Sequence, residues 1–326
     1  MSPVQGAGEP GPIKAIPVRH PGRVVAVVIL LIATAMLVQQ LFVNQAFDWA
    51  FTFQAMSQST VISGYFRGVL MVTVLSMVFG VGLGVLLAIM RMSPNFVLRW
   101  VAGGYIWFFR SIPRYVLLVI LGAAGAFFPE GIVLGIPYDR DIMAFLGFPG
   151  GTLRFGALDA NQLFSSYIGA VLGLGLSEAA YMAEIARSGI ISVNKGQAEA
   201  ANALGMDRSQ AMRRIVLPQA MRVIVPPTGN ETIAMFKDTS LLVALPLADE
   251  MFFQLRAIGT AYYKLIPVLM AATIYYLITS TILGFGQAWL ERHFGRGYAA
   301  TSSRKKGPQA ASTAGATQIT FPGSDH

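Results

Sequence analysis

The stretch QAEAANALGMDRSQAMRRIVLPQA, residues 197–220, is polar and basic, and apolar runs lie on both sides of it. Residues 197–204 are rich in helix formers. Gly205 suits the end of a helix, because it adopts a left-handed backbone at little cost. Asp207 then suits an N-cap, with Gln210 three residues on as in a capping box. A second helix is expected from there to Leu217, stopped by Pro218. The pattern predicts two short helices outside the bilayer; a solvated connecting loop is the plainer alternative that propensity leaves open.

The rest of the chain is apolar. Its 326 residues are 54% hydrophobic and 12% charged, against about 25% charged in a soluble domain, and the mean hydropathy is +0.57. This composition points to an all-α integral membrane protein, since a β-barrel shows alternating segments of about ten residues. Cysteine is absent, which excludes disulfides, thiolate metal sites and a cysteine nucleophile. His20, His293 and His326 all lie near chain ends, so neither a metal nor a catalytic imidazole centre is expected.

Runs of about 20 apolar residues mark membrane spans. Residues 24–43, 69–90 and 265–290 carry no charge. Residues 97–128, 164–185 and 223–247 are contaminated by Arg110 and Arg114, by Glu178 and Glu184, and by Glu231, Lys237 and Asp238. Six transmembrane helices follow. The first exceeds a signal-peptide core of about 7–15 residues and lacks a cleavage site, so it reads as an uncleaved anchor. Residues 1–23 and 299–326 read as disordered tails, and the long loop 129–163 as carrying a short surface helix near 142–148.

Six spans place both ends on one side. That side receives 16 Lys and Arg residues, among them Arg91, Arg99, Arg187, Lys195, Arg208, Arg213 and Arg214. The other receives Arg140, Arg154 and Arg256, with Lys264 at a boundary. The positive-inside rule makes both termini cytoplasmic and explains the net charge of +8 without nucleic acid.

The central segment is more specific than its propensities. Glu199-Ala200-Ala201, then Gly205, Ile215 and Leu217-Pro218, resembles the EAA loop of permeases of ATP-binding-cassette importers. The flanks AAYMAEIARSGIISVNKGQAEAANALG and LPQAMRVIVPPTGNETIAMFKDTSLL are similar to the permeases for polar amino acids of the histidine, glutamine and arginine type. GYFRGVLMVTVLSMVFGVGLGVLLAIMRMS resembles the first core helix. YIWFFRSIPRYVLLVI resembles the family's Arg-Gly-Thr-Pro segment, from which Ser111-Ile112 depart. The resemblance spans residues 64–292 and implies a five-helix type I importer core, with the helix at 24–43 additional. It implies that the loop at about 188–220 is a coupling element. Glu199, Ala200, Ala201, Gly205, Ile215, Leu217 and Pro218 would then dock on a separate cytoplasmic ATPase dimer.

The resemblance further implies a second permease subunit, the same chain or a paralogue, and an extracytoplasmic amino-acid-binding protein, in a bacterial cytoplasmic membrane and its lipid. The chain is expected to bind no cofactor, with ATP-Mg on the partner ATPase; no Gly-Lys dipeptide occurs, so it holds no P-loop. It is expected to be a translocation subunit and not an enzyme.

Ionisable groups at membrane depth are costly and mark function by default. Ser177, Tyr181, Glu184 and Ser188 share one helical face that suits a polar path. Glu184 matches the family's Tyr-x-x-Glu and is expected to meet a substrate amino group or a basic partner in the bundle. Glu178 either tunes substrate preference or pairs with Arg110. Arg110 either binds a substrate carboxylate or pairs with Glu178 or Glu184. In the fifth span Asn230 and Lys237 share one face, Glu231 and Asp238 another. Lys237-Asp238-Thr239-Ser240 matches a family motif, read either as Lys and Asp satisfying each other or as part of a gate. Pro226-Pro227 and Gly229 either loosen this helix or mark its beginning. The glycines at 80, 82 and 84 suit close helix packing. The competing function is a secondary transporter driven by an ion gradient, which has no use for a docking loop.

Overall fold

The computed structural model describes residues 21–129, 131–164, 167–245 and 247–295. The expected tails at 1–23 and 299–326 lie outside these residues, apart from the start of the first helix. In chain order, α1 (Pro21–Val43) leads through a short turn to α2 (Trp49–Met56). Then α3 (Ser59–Gly64), a π segment (Tyr65–Met71) and α4 (Val72–Arg91) form one rod of 33 residues. α5 (Phe96–Ser111), α6 (Arg114–Gly122) and α7 (Ala124–Phe127) precede an excursion of β1 (Ile132–Gly135), α8 (Asp139–Phe145) and β2 (Arg154–Leu158). α9 (Ala160–Phe164) leads into α10 (Tyr167–Ile191), followed by α11 (Lys195–Ala203), α12 (Arg208–Ala211) and a π segment (Met212–Val216). α13 (Leu217–Asp238), a 3-10 turn (Thr239–Ala244), α14 (Met251–Ala261) and α15 (Leu265–Phe294) complete the bundle.

Among the described residues four helices are long and apolar enough to cross a membrane: α1, the rod Ser59–Arg91, α10 and α15. The bent pair α5–α6 makes a fifth. α13 has the length, 22 residues, but carries Arg222, Glu231, Lys237 and Asp238. The expected span over 97–128 is a bent one. The chain turns by 94° between α5 and α6. Pro113 forces this: the residue before a proline is driven out of the helical region, and Ile112 is extended at φ −93°, ψ 129°. The fifth expected span, 223–247, likewise ends early as a helix, at Asp238, and α14 is a helix not foreseen. The outside loop does hold a short helix, α8, but flanked by an antiparallel pair in which Ile132 faces Leu158 and Gly135 faces Arg154.

Inside a bilayer, helices gain little by hiding apolar surface from one another, so close approach over small residues decides packing. α10 shows Gly169, Ala170, Gly173, Ala179, Ala180 and Ala183, all buried. It lies along α4, where a Cβ at Gly84 would fall 2.6 Å from Met182 Cβ and one at Gly80 would fall 2.8 Å from Glu178 Cγ. Gly82 has nothing within 4 Å and faces away. Tyr105 of α5 donates to Leu176 O of α10 at 2.8 Å. A second cluster joins α2 to α14 and α15 through Phe51, Ala55, Met251, Leu255 and Val268, so the packed body begins at Trp49. At this end Lys264 Nζ reaches Asp48 Oδ2 at 2.7 Å and holds that carboxyl below its usual range. No residue of α1 is buried; its end is tied by Trp49 Nε1, which donates to Leu41 O at 2.8 Å.

Candidate functional site

The expected helix–turn–helix is present and well capped. Asn194 caps α11 by accepting from Gly196 N at 2.9 Å. Gly205 adopts φ +81°, Met206 N donates to Ala201 O at 3.1 Å and Gly205 N to Asn202 O at 2.9 Å. This pair of bonds is a Schellman stop. Asp207 then accepts from Gln210 N at 2.8 Å, and Gln210 Oε1 accepts from Asp207 N at 3.3 Å. The turn is thus fixed by side chains on both sides of a glycine that no other residue replaces freely.

The expected stop at Pro218 does not occur. α12, the π segment and α13 run on without a break to Asp238. Leu217 N–H donates to Met212 O, five residues back. This wide turn shifts the ladder by one residue, and the bond that a proline cannot make is skipped. The loop is consequently one rigid piece with the fifth span. Glu199, Ala200, Ala203, Leu204 and Gly205 are exposed on α11 and its turn, whereas Ala201 is turned inward and buried. Ala201 therefore holds α11 against the chain's own second helix and offers nothing to a groove. Ile215 is half-buried, Leu217 and Pro218 exposed. Leu204, 80% exposed, is an apolar tip that the sequence reading passed over.

Across the bundle the charged side chains converge, but on a different arginine from the one expected. Arg114, first residue of α6, reaches Glu178 Oε2 of α10 at 2.7 Å and Asp238 Oδ2 of α13 at 2.5 Å. Glu231 Oε2 lies 4.0 Å away, and the guanidinium sits 5.0 Å above the Tyr181 ring. Arg110 pairs with neither Glu178 nor Glu184; it is exposed and lies 5.5 Å from the same ring. The bend at Pro113 explains the exchange, because it aims the start of α6 inward and leaves the last turn of α5 at the rim. Glu184 pairs with Arg187 on its own helix at 2.8 Å.

Beside this cluster a cavity of about 350 Å³ is lined by Arg110, Tyr181, Glu184, Ile185, Ser188 and Glu231. Ser177 is not part of it: the residue is buried among packed helices. Asp238 and Lys237 do not satisfy each other. Asp238 belongs to Arg114, while Lys237 is exposed on a face about 100° away and with Ser240 lines a separate cavity of about 690 Å³ against α15. Asn230 is exposed outside both cavities. Thr239 is buried and donates to Phe236 O at 2.7 Å. Pro226-Pro227 lie well inside α13, not at its start; Gln287 of α15 donates to Pro226 O at 2.8 Å.

Residues 80–296 match the family described as binding-protein-dependent transport system inner membrane component. The chain is 41% identical over 307 residues to the arginine transport system permease protein ArgU of Corynebacterium glutamicum, covering 94% of this chain and 90% of that one. That alignment is long enough to include α1. It is 34% identical to the glutamate/aspartate import permease protein GltK of Escherichia coli O157:H7, over 68% of this chain and 88% of the relative. A permease in the crystal structure of an amino acid ABC transporter with histidines superposes with a TM-score of 0.53 at 27% identity, covering 72% and 94%. The family and the ABC transporter structure support an ATP-driven importer permease over the gradient-driven alternative. The chain belongs to the binding-protein-dependent transport system inner membrane component family, as a translocation subunit with the all-α type I importer core.

Proposed function

We propose that this chain forms half of the path of an importer for a cationic amino acid, with arginine the reference substrate. The observation that carries this is the charge count around the cavity. Arg110, Arg114 and Arg187 face Glu178, Glu184, Glu231 and Asp238, an excess of one carboxylate. A substrate with one net positive charge completes the balance. Arg110 at the rim is placed to take its carboxylate bidentately, and Glu231 its cationic end. The arginine permease named above supports the reading.

In this reading a binding protein delivers substrate at the end bearing Asp48 and Lys264. The basic end is cytoplasmic, together with both termini, and a dimeric ATPase there seats Glu199, Ala200, Gly205 and Leu204. Ile215, Leu217 and Pro218 stiffen the connection to α13. The same helix presents Glu231 to the cavity and Asp238 to Arg114, so a push on α11 reaches the charge cluster through continuous backbone. Lys237, Ser240 and Asn230 face a second permease subunit across the complex. The helix at 24–43 is an addition to the transporter body at 64–292. Nucleotide and its magnesium stay on the ATPase.

The test is uptake of labelled arginine into proteoliposomes holding the full complex with internal ATP. Lysine should compete and glutamate should not, and Glu231→Gln should weaken arginine uptake more than it weakens that of a neutral amino acid. Preference for glutamate, or uptake that survives an inactive ATPase, contradicts the proposal.

A further inference from the structure

We propose that Arg91 and Arg99, with the face of α5 bearing Trp100 and Trp107, form a binding site for one anionic phospholipid. A cavity of about 590 Å³ is lined by Arg91, Arg99, Trp100, Gly103, Gly104 and Trp107. Arg91 ends α4 and Arg99 lies in the first turn of α5, both at the basic end of the bundle. Arg91 Nη1 donates to Arg99 O at 3.1 Å, and neither guanidinium has an ion pair among the described residues. No Asp or Glu occurs from Trp49 through Pro129. Two cations therefore stand side by side with no carboxylate of this stretch to neutralise them. Guanidinium groups in this arrangement take a phosphate.

The walls show that the phosphate carries a chain. Trp100 and Trp107 are 70% and 71% exposed. Seven residues apart, they share one face of α5 and are separated by about 10 Å along it. Indoles facing lipid in this way sit at and just below the headgroups. Glycine is unfavourable inside a helix, yet two occupy the floor between the tryptophans. A Cβ at Gly103 would press on Arg91 Nη1, so this glycine lets the guanidinium lie against α5. A Cβ at Gly104 would meet nothing within 4 Å, so the slot is open there. Arginines that only mark topology need neither the slot nor the aromatic walls. A free phosphate would touch the mouth and leave the walls bare.

The test uses the complete transporter in nanodiscs, with Trp49→Phe and Trp289→Phe in this chain and the tryptophans of the other subunits and of the scaffold protein likewise replaced, so that only the two indoles of interest fluoresce. Phosphatidylcholine discs receive the same small fraction of brominated phosphatidylglycerol or brominated phosphatidylcholine, at fixed ionic strength. The expected result is stronger quenching by the brominated phosphatidylglycerol. Arg91→Gln with Arg99→Gln should erase that preference. Gly104→Leu, whose Cβ meets no protein atom within 4 Å and whose side chain extends into the cavity, should lower quenching by the anionic lipid while thermal stability is unchanged. Equal quenching by the two lipids in the unsubstituted pocket overturns the proposal. Relief of quenching by inorganic phosphate assigns the site to a free anion, and protection that appears only with the ATPase bound assigns it to a protein contact; either result also overturns it.

Discussion

Replacing Arg114 by methionine removes the cation on which three helices converge. Glu178 is wholly buried, with 0% of its side chain exposed, and Arg114 is only 13% exposed. At an effective dielectric of about 20, unit charges 2.7 Å apart attract by roughly 6 kcal/mol. Desolvation offsets much of this in the intact pair, but the substitution leaves the desolvation of Glu178 uncompensated. Loss of one partner from a buried pair costs about 3–5 kcal/mol, or about 2 to 3.5 orders of magnitude in the folding equilibrium at about 1.4 kcal/mol per factor of ten. Asp238, nearer the surface, recovers part of its hydration and adds less. Arg114→Met should therefore lower the thermal midpoint of the solubilised complex clearly, by fluorescence-detected size exclusion. Combining it with Glu178→Met should restore most of the stability, since an apolar pair of similar volume is tolerated in place of a buried ion pair. Uptake should remain absent in both. A single variant as stable as the parent, or a double variant that transports, would refute the hub assigned to Arg114.

Three further outcomes follow from the packing. Gly80→Ala places a methyl 2.8 Å from Glu178 Cγ and should cost about 1–3 kcal/mol, whereas Gly82→Ala, facing open space, should be neutral or stabilising by up to ~1 kcal/mol; the two thermal midpoints decide. Gly205→Ala forces a side chain into φ +81° at about 1–2 kcal/mol, and should reduce transport-stimulated ATP hydrolysis more than Gly205→Asn does. Asp207→Ala deletes the capping box and should cost about 0.5–2 kcal/mol locally, seen as faster hydrogen exchange confined to residues 204–211.

The apolar runs, the capped turn and the close-packing glycines at 80 and 84 were readable in the sequence because each is a local pattern. Gly205 and Asp207 specify their own conformations within a few residues. The rod from Ser59, the inward aim of Arg114 and the unbroken passage through Pro218 were not readable, because each depends on a departure from ideal helix geometry. Arg110 and Arg114 look alike in sequence; only the 94° bend separates rim from hub. Lys237 and Asp238 are neighbours in the chain, but a helix turns successive residues by about 100°, so Asp238 meets Arg114 while Lys237 lines a cavity against α15. Leu204 escaped notice because an apolar residue in a polar loop carries no periodic signal.

The account rests on the tip of α11 seating in an ATPase. Leu204→Cys, paired with single cysteines across the membrane-facing surface of that ATPase, measures this directly. A cross-link should form at one region of that surface, and it should stop ATP hydrolysis from responding to substrate. Failure to cross-link at any position, or labelling of the cysteine from outside intact cells, would contradict it.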